Sequence, residues 1–129
     1  MVHWLVVARI LVIDDDPHVG KLFVKSLQNA GYTVDLAGSG RDGLRMATAE
    51  VFDVIVLDLS MPEPDGFEVL AKLKAKQSSS PPVIMVSGWM GESLLRAAEH
   101  LGAAASLSKA EGPRRLIEIV ADVLSLRRQ

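Results

Sequence analysis

The chain has 129 residues, enough for one domain with a core of its own. Hydrophobic content is 49%, charged content 23% and formal net charge -2, so nothing in the charge balance draws the chain to nucleic acid or to an anionic membrane. Cysteine is absent, which removes disulfide staples and thiol nucleophiles and fits a reducing, cytoplasmic location.

The opening "MVHWLVVA" is apolar but has no basic start and no small-residue cleavage site. Arg9 interrupts the run well short of the roughly 20 apolar residues that a membrane-spanning helix needs. Residues 1–8 are read as an extension without an assigned role and residues 9–129 as the domain. "RILVID", residues 9–14, is a continuous apolar run ending in acid, as a strand covered on both faces should be. In "PHVGKLFVKSLQNAG" the residues Val19, Leu22, Phe23, Leu27 and Ala30 are expected on one helical face, with Asp16 as cap, Pro17 in the first turn and Gly31 as stop. "YTVDLA" is the second strand, and "GRDGLRMATAEV" a helix whose apolar face is Leu44, Ala47 and Val51. "DVIVLD" is the third strand. A turn around Pro62, Pro64 and Asp65-Gly66 then leads into a helix marked by Phe67, Leu70, Ala71 and Leu73. Beyond the "SSSPP" loop, "VIMVSG" is the fourth strand, and Leu94, Ala98 and Leu101 carry the fourth helix. "AASLSK" is a poor fifth strand, and Leu116, Val120, Val123 and Leu124 carry the last helix.

Five strand-helix units of this length imply an α/β doubly wound parallel sheet with helices on both faces. Such sheets bind ligands outside the carboxyl ends of their strands. Asp14, Asp15 and Asp16 lie there after the first strand, Asp58 after the third, Ser87-Gly88 after the fourth and Lys109 after the fifth. Carboxylates gathered at one edge repel unless a cation neutralises them, and oxygen-only ligation suits Mg²⁺. Asp58 is then either a metal ligand or a nucleophile toward a phosphoryl group, since a carboxylate can accept phosphorus as an acyl phosphate. Lys109 supplies positive charge for phosphoryl oxygens, the Ser87 hydroxyl a hydrogen bond, and Gly88 leaves room for the incoming group.

With "ILVIDDDP", "VIVLDLSMPEPDG", "VIMVSG" and Ser108-Lys109, the sequence from Arg9 onward resembles the receiver domain of two-component response regulators. The resemblance implies a flavodoxin-like sheet in the order 2-1-3-4-5. It also implies that Asp58 is the phosphoacceptor, Asp15 a direct Mg²⁺ ligand, Asp14 a ligand through water and the Ser60 carbonyl a further ligand, with Ser87 and Lys109 holding the phosphoryl group. A histidine kinase or histidine phosphotransfer protein would be the donor. Homodimerisation would use the face built from the fourth helix, fifth strand and fifth helix, and no turnover is implied beyond self-phosphorylation and autodephosphorylation. Three positions depart from the family pattern or colour it. Ala110 replaces the proline that usually follows the lysine in a cis peptide. Ser106 replaces an aromatic residue that swings inward on phosphorylation. Trp89 stands where the side chain tends to influence water access, which implies slow loss of the phosphoryl group.

Two other readings compete. The chain is alternatively a phosphorylation-independent interaction module (pseudo-receiver) that has kept the acidic pocket but, with Ser106 and Ala110, lost the switch. A Mg²⁺-dependent phosphohydrolase ranks lower, because that class carries a second acid two residues after its nucleophile, where this chain has Ser60. His3, His18 and His100 have no ligand spacing, and Arg114, Arg115, Arg127 and Arg128 read as a solvated helix face.

Overall fold

In the computed structural model, every run read as a strand forms one. The structure describes residues 7–76, 80–88 and 92–127. The expectations placed on Trp89 and on most of the N-terminal extension lie outside the described residues. In chain order the elements are β1 (Arg9–Ile13), α1 (Pro17–Asn29), β2 (Thr33–Ala37), α2 (Gly40–Ala49), β3 (Val54–Asp58), α3 (Gly66–Lys76), β4 (Val83–Ser87), α4 (Glu92–His100), β5 (Ala105–Ser108), a single 3-10 turn (Lys109–Glu111) and α5 (Gly112–Arg127). All five strands are parallel, in the order β2-β1-β3-β4-β5.

Alternation along each strand divides the core between the two faces of the sheet. Ile10, Val12, Val54, Val56, Ile84 and Val86 point to one side, where Phe23 and Leu27 of α1 and Leu116 and Val120 of α5 meet them. Leu11, Ile13, Ile55, Leu57, Val83 and Met85 point to the other, against Ala47 of α2, Leu70 and Leu73 of α3 and Ala98 of α4. No described helix is long and apolar enough to cross a membrane.

Several expected helix faces are rotated or cut short. Leu22 is exposed, and α1 buries Gly20, Phe23 and Leu27 instead. The cause is Gly20: a Cβ there would lie 3.0 Å from Leu36 Cδ1, so α1 sits on β2 through its glycine and turns Leu22 outward. Val51 and Leu101 are also exposed. They lie beyond the ends of α2 and α4, where helical phase no longer applies. Ala30 and Ala71 are exposed as well.

At the pole where strands begin, Arg9 ties three elements together. Its guanidinium lies 2.6 Å from Asp35 Oδ2 and 2.5 Å from Glu50 Oε1, and 4.6 Å from the centroid of the Phe52 ring. The opposite pole carries the acids.

Candidate functional site

Register brings the acids together. β1 and β3 are hydrogen-bonded neighbours with Ile13 opposite Leu57, so the next residues on each, Asp14 and Asp58, stand side by side at the sheet edge. Parallel strands lie about 4.8 Å apart, which brings the two carboxylates within reach of one cation. Both side chains are buried, Asp14 at 3% exposure and Asp58 at 2%. Asp15, next along the chain, is exposed.

Each buried acid is held by its own turn. The Asp16 amide donates to Asp14 Oδ1 at 2.8 Å, and the Ser60 amide to Asp58 Oδ1 at 3.1 Å. Asp16 turns away to cap α1, accepting the His18 and Val19 amides at 2.9 and 3.3 Å. Those two bonds hold its carboxyl below the usual range.

Lys109 closes the pocket. Its Nζ stands 3.2 Å from Asp14 Oδ2 and 3.3 Å from Asp58 Oδ2. β5 pairs Ser108 with Ser87, and the 3-10 turn after Ser108 carries Lys109 back over the sheet edge. A capping box fixes that turn: Ser108 Oγ accepts the Ala110 amide at 3.2 Å, and Glu111 Oε2 accepts the Ser108 amide at 2.9 Å. The peptide between Lys109 and Ala110 is trans, as expected for a residue other than proline. Sequence reading overlooked the signal for this cap, the Ser-x-x-Glu spacing of Ser108 and Glu111.

Charge decides what the pocket suits. Burial, and then the neighbouring Asp14 carboxylate, push Asp58 up to about 6, while Lys109 and the Ser60 amide pull the other way. Burial also works against the Lys109 ammonium, but Asp58 and Asp14 outweigh it and raise its pKa. One ligand oxygen from each of Asp14, Asp15 and Asp58 lies within 4.8 Å of the others. Three carboxylates and one ammonium leave an excess of two negative charges, and every donor is a hard oxygen. This set fits a divalent cation such as Mg²⁺.

The other expected site residues flank this group. Ser87 is the last residue of β4 and 1% exposed. A Cβ on Gly88 would meet nothing within 4 Å, so space is open there. Ser60 is exposed, two residues beyond Asp58. Ser106 donates its hydroxyl to Glu99, linking β5 to α4.

Gly66, read from sequence only as turn chemistry, supports the site directly. A Cβ there would lie 2.5 Å from the Asp58 carbonyl oxygen and 2.6 Å from Leu59 Cα. Gly66→Ala must therefore move the backbone that carries Asp58. It is expected to lower stability by roughly 2–3 kcal/mol, measured as a shift in the urea midpoint.

The family model for the response regulator receiver domain matches residues 10–121. The chain belongs to that family. It is 38% identical over 80 residues to the transcriptional regulatory protein GlrR of Escherichia coli, covering 62% of this chain and 18% of that protein. Over 79 residues it is 38% identical to the transcriptional regulatory protein TcrA of Mycobacterium tuberculosis, covering 61% of this chain and 31% of that one. A solved CheY-like receiver domain protein from Methanospirillum hungatei superposes with a TM-score of 0.85 at 28% identity, over 95% of this chain and 97% of the other. The chain thus spans less than a third of either curated relative. This receiver domain is a signalling module of two-component response regulators, and its strand order matches the family fold.

Proposed function

We propose that Asp58 of this receiver domain accepts a phosphoryl group from the phosphohistidine of a histidine kinase or histidine phosphotransfer protein. The observation that supports this reading above the others is the buried Asp58 carboxylate lying beside Asp14 and 3.3 Å from the Lys109 ammonium. An Asp58 oxygen forms the new bond to phosphorus as the nitrogen–phosphorus bond of the donor breaks, and the departing imidazole keeps the electron pair. Asp15, Asp14, Asp58 and the Ser60 carbonyl would hold Mg²⁺, whose chemistry when bound is to neutralise charge on the transferring group. Lys109 releases Asp58 and pairs with a phosphoryl oxygen, and the Ser87 hydroxyl donates to another. The open space at Gly88 admits the group. Positioning and charge neutralisation carry the rate.

In this reading the receiver domain runs over residues 9–129 and works in the cytoplasm, with residues 1–8 as an extension and no direct contact with DNA. The added charge biases the face of α4, β5 and α5 toward a partner, including a second copy. Acetyl phosphate with Mg²⁺ is expected to label the parent, and Asp58→Asn to abolish the label. Stoichiometric labelling of Asp58→Asn would remove the residue from this role.

The hydroxyl link from Ser106 to Glu99 favours a second reading, that of a pseudo-receiver in which the site persists without the switch. Hydrodynamic size with and without a stable phosphoryl mimic separates the two. A change in size supports the switch, and Mg²⁺ binding without any change supports the pseudo-receiver.

A further inference from the structure

The loop from Leu59 to Asp65 carries Ser60, whose amide donates to Asp58 Oδ1, and two glycines pack against its ends. Gly66 seats one end against the backbone of Asp58 and Leu59, as described above. Gly40, at the start of α2, seats the other end. A Cβ on Gly40 would lie 2.5 Å from the Pro64 carbonyl oxygen, 2.8 Å from Val69 Cγ2 and 3.0 Å from Pro64 Cγ. The Pro64 carbonyl therefore rests on the bare Cα of a helix that supplies no group to the pocket. At the Gly66 seat the loop is tied down by Leu59, whose amide donates to the Val86 carbonyl at 2.8 Å and whose carbonyl accepts the Gly66 amide at 3.2 Å. Leu59 and Met61 are both buried in the core layer beneath α2, α3 and α4. The free face of Gly38, two residues before Gly40, is the contrast: a Cβ there would meet nothing within 4 Å.

α2 is itself held firmly. Ser39 caps its first turn by accepting the Asp42 amide at 3.1 Å. Gly43 lies so close to Ile13 of β1 that a Cβ would fall 2.5 Å from Ile13 Cδ1. A displacement at Gly40 is thus taken up by the loop more readily than by the helix. Restoring normal separation from the Pro64 carbonyl requires a shift of about 1 Å. Mg²⁺ demands near-ideal octahedral geometry, so a carbonyl ligand four residues upstream of that shift is sensitive to it.

We infer that Gly40 is a positioning residue for divalent-cation binding: it lets α2 act as the rest against which the Ser60 carbonyl is set. This rests on the reading of Ser60 as a Mg²⁺ ligand. It also makes α2 an input to the site, because a partner that moves α2 changes cation affinity without touching a ligand.

Isothermal titration of Mg²⁺ into the parent, Gly40→Ala and Gly38→Ala at 10 °C tests it. Gly40→Ala is expected to raise Kd about tenfold, with Gly38→Ala unchanged. Labelling by acetyl phosphate in Gly40→Ala is expected to regain the parent rate once Mg²⁺ is saturating, a split that a general loss of packing does not produce. A Kd unchanged in Gly40→Ala alongside a lowered melting temperature overturns the inference and leaves Gly40 as packing alone. No Mg²⁺ binding by the parent or by Gly38→Ala sinks the underlying reading of the site instead, and the inference with it. Should Gly40→Ala not fold, Gly40→Ala/Val69→Ala removes the clash with Val69 and keeps those with Pro64. The same weakening is expected there relative to Val69→Ala, and its absence counts against the inference equally.

Discussion

Lys109→Met, without metal at pH 7.5, is expected to lose roughly 3 kcal/mol of unfolding free energy, because it leaves two buried carboxylates facing each other with no cation between them. In the same variant Mg²⁺ is expected to bind more tightly. The ammonium lies against Asp14 Oδ2 and Asp58 Oδ2, at 3.2 and 3.3 Å, and so competes for the oxygens proposed to hold the cation. The two effects have opposite signs, which separates them from a simple packing defect. Thermal unfolding with and without saturating Mg²⁺ reads both: the parent gains less from the metal than Lys109→Met does. An equal gain would mean that Lys109 and the cation do not share ligands.

Asp58→Asn is expected to be more stable than the parent at pH 7.5 in the absence of metal. The Asp58 pKa in the folded protein is pushed up to about 6, above the ordinary value of 3.8, by burial and then by Asp14. A raised carboxyl pKa means that the folded state binds more protons than the unfolded one in the window between those values. The stability tied to the protonated form is fully present below about 3.8 and is lost as pH rises through about 6. The difference between Asp58→Asn and the parent therefore opens across that window and levels off above it, at about 2–3 kcal/mol. Saturating Mg²⁺ reverses the sign, since the cation stabilises the ionised carboxylate that the amide cannot supply. Urea titrations at pH 4.5, 6 and 7.5 measure it. A difference that does not depend on pH would remove Asp58 as the strained group.

The sheet and the pocket were legible for the same reason. A strand buried on both faces writes itself as an uninterrupted apolar run, and a carboxylate that ends such a run has no core role. Asp14 and Asp58 stand out on that ground, while their place on neighbouring strands follows from the order 2-1-3-4-5, which only the family resemblance implies and the structure has. Helix phase was less legible. The expected α1 face includes Leu22 on its apolar spacing, whereas the helix seats on Gly20, which hydrophobic periodicity does not count. Val51 and Leu101 follow their helices and are exposed. The supports of the site were hidden for a related reason. Gly40 and Gly66 matter through what comes within 3 Å of a missing side chain, and that proximity is set by tertiary approach. The turn behind Lys109 is readable in the Ser-x-x-Glu spacing of Ser108 and Glu111, which does not depend on the residue at Ala110.

Borohydride trapping of the acetyl phosphate product, followed by peptide mass mapping, tests the central claim most directly, because it converts an acyl phosphate on a carboxylate into a stable alcohol at the residue that carried it. Reduction at position 58 alone, and only when Mg²⁺ is supplied, is the predicted result. Reduction at Asp14 or Asp15, or equal yield at position 58 in the presence of a chelator, would contradict the account.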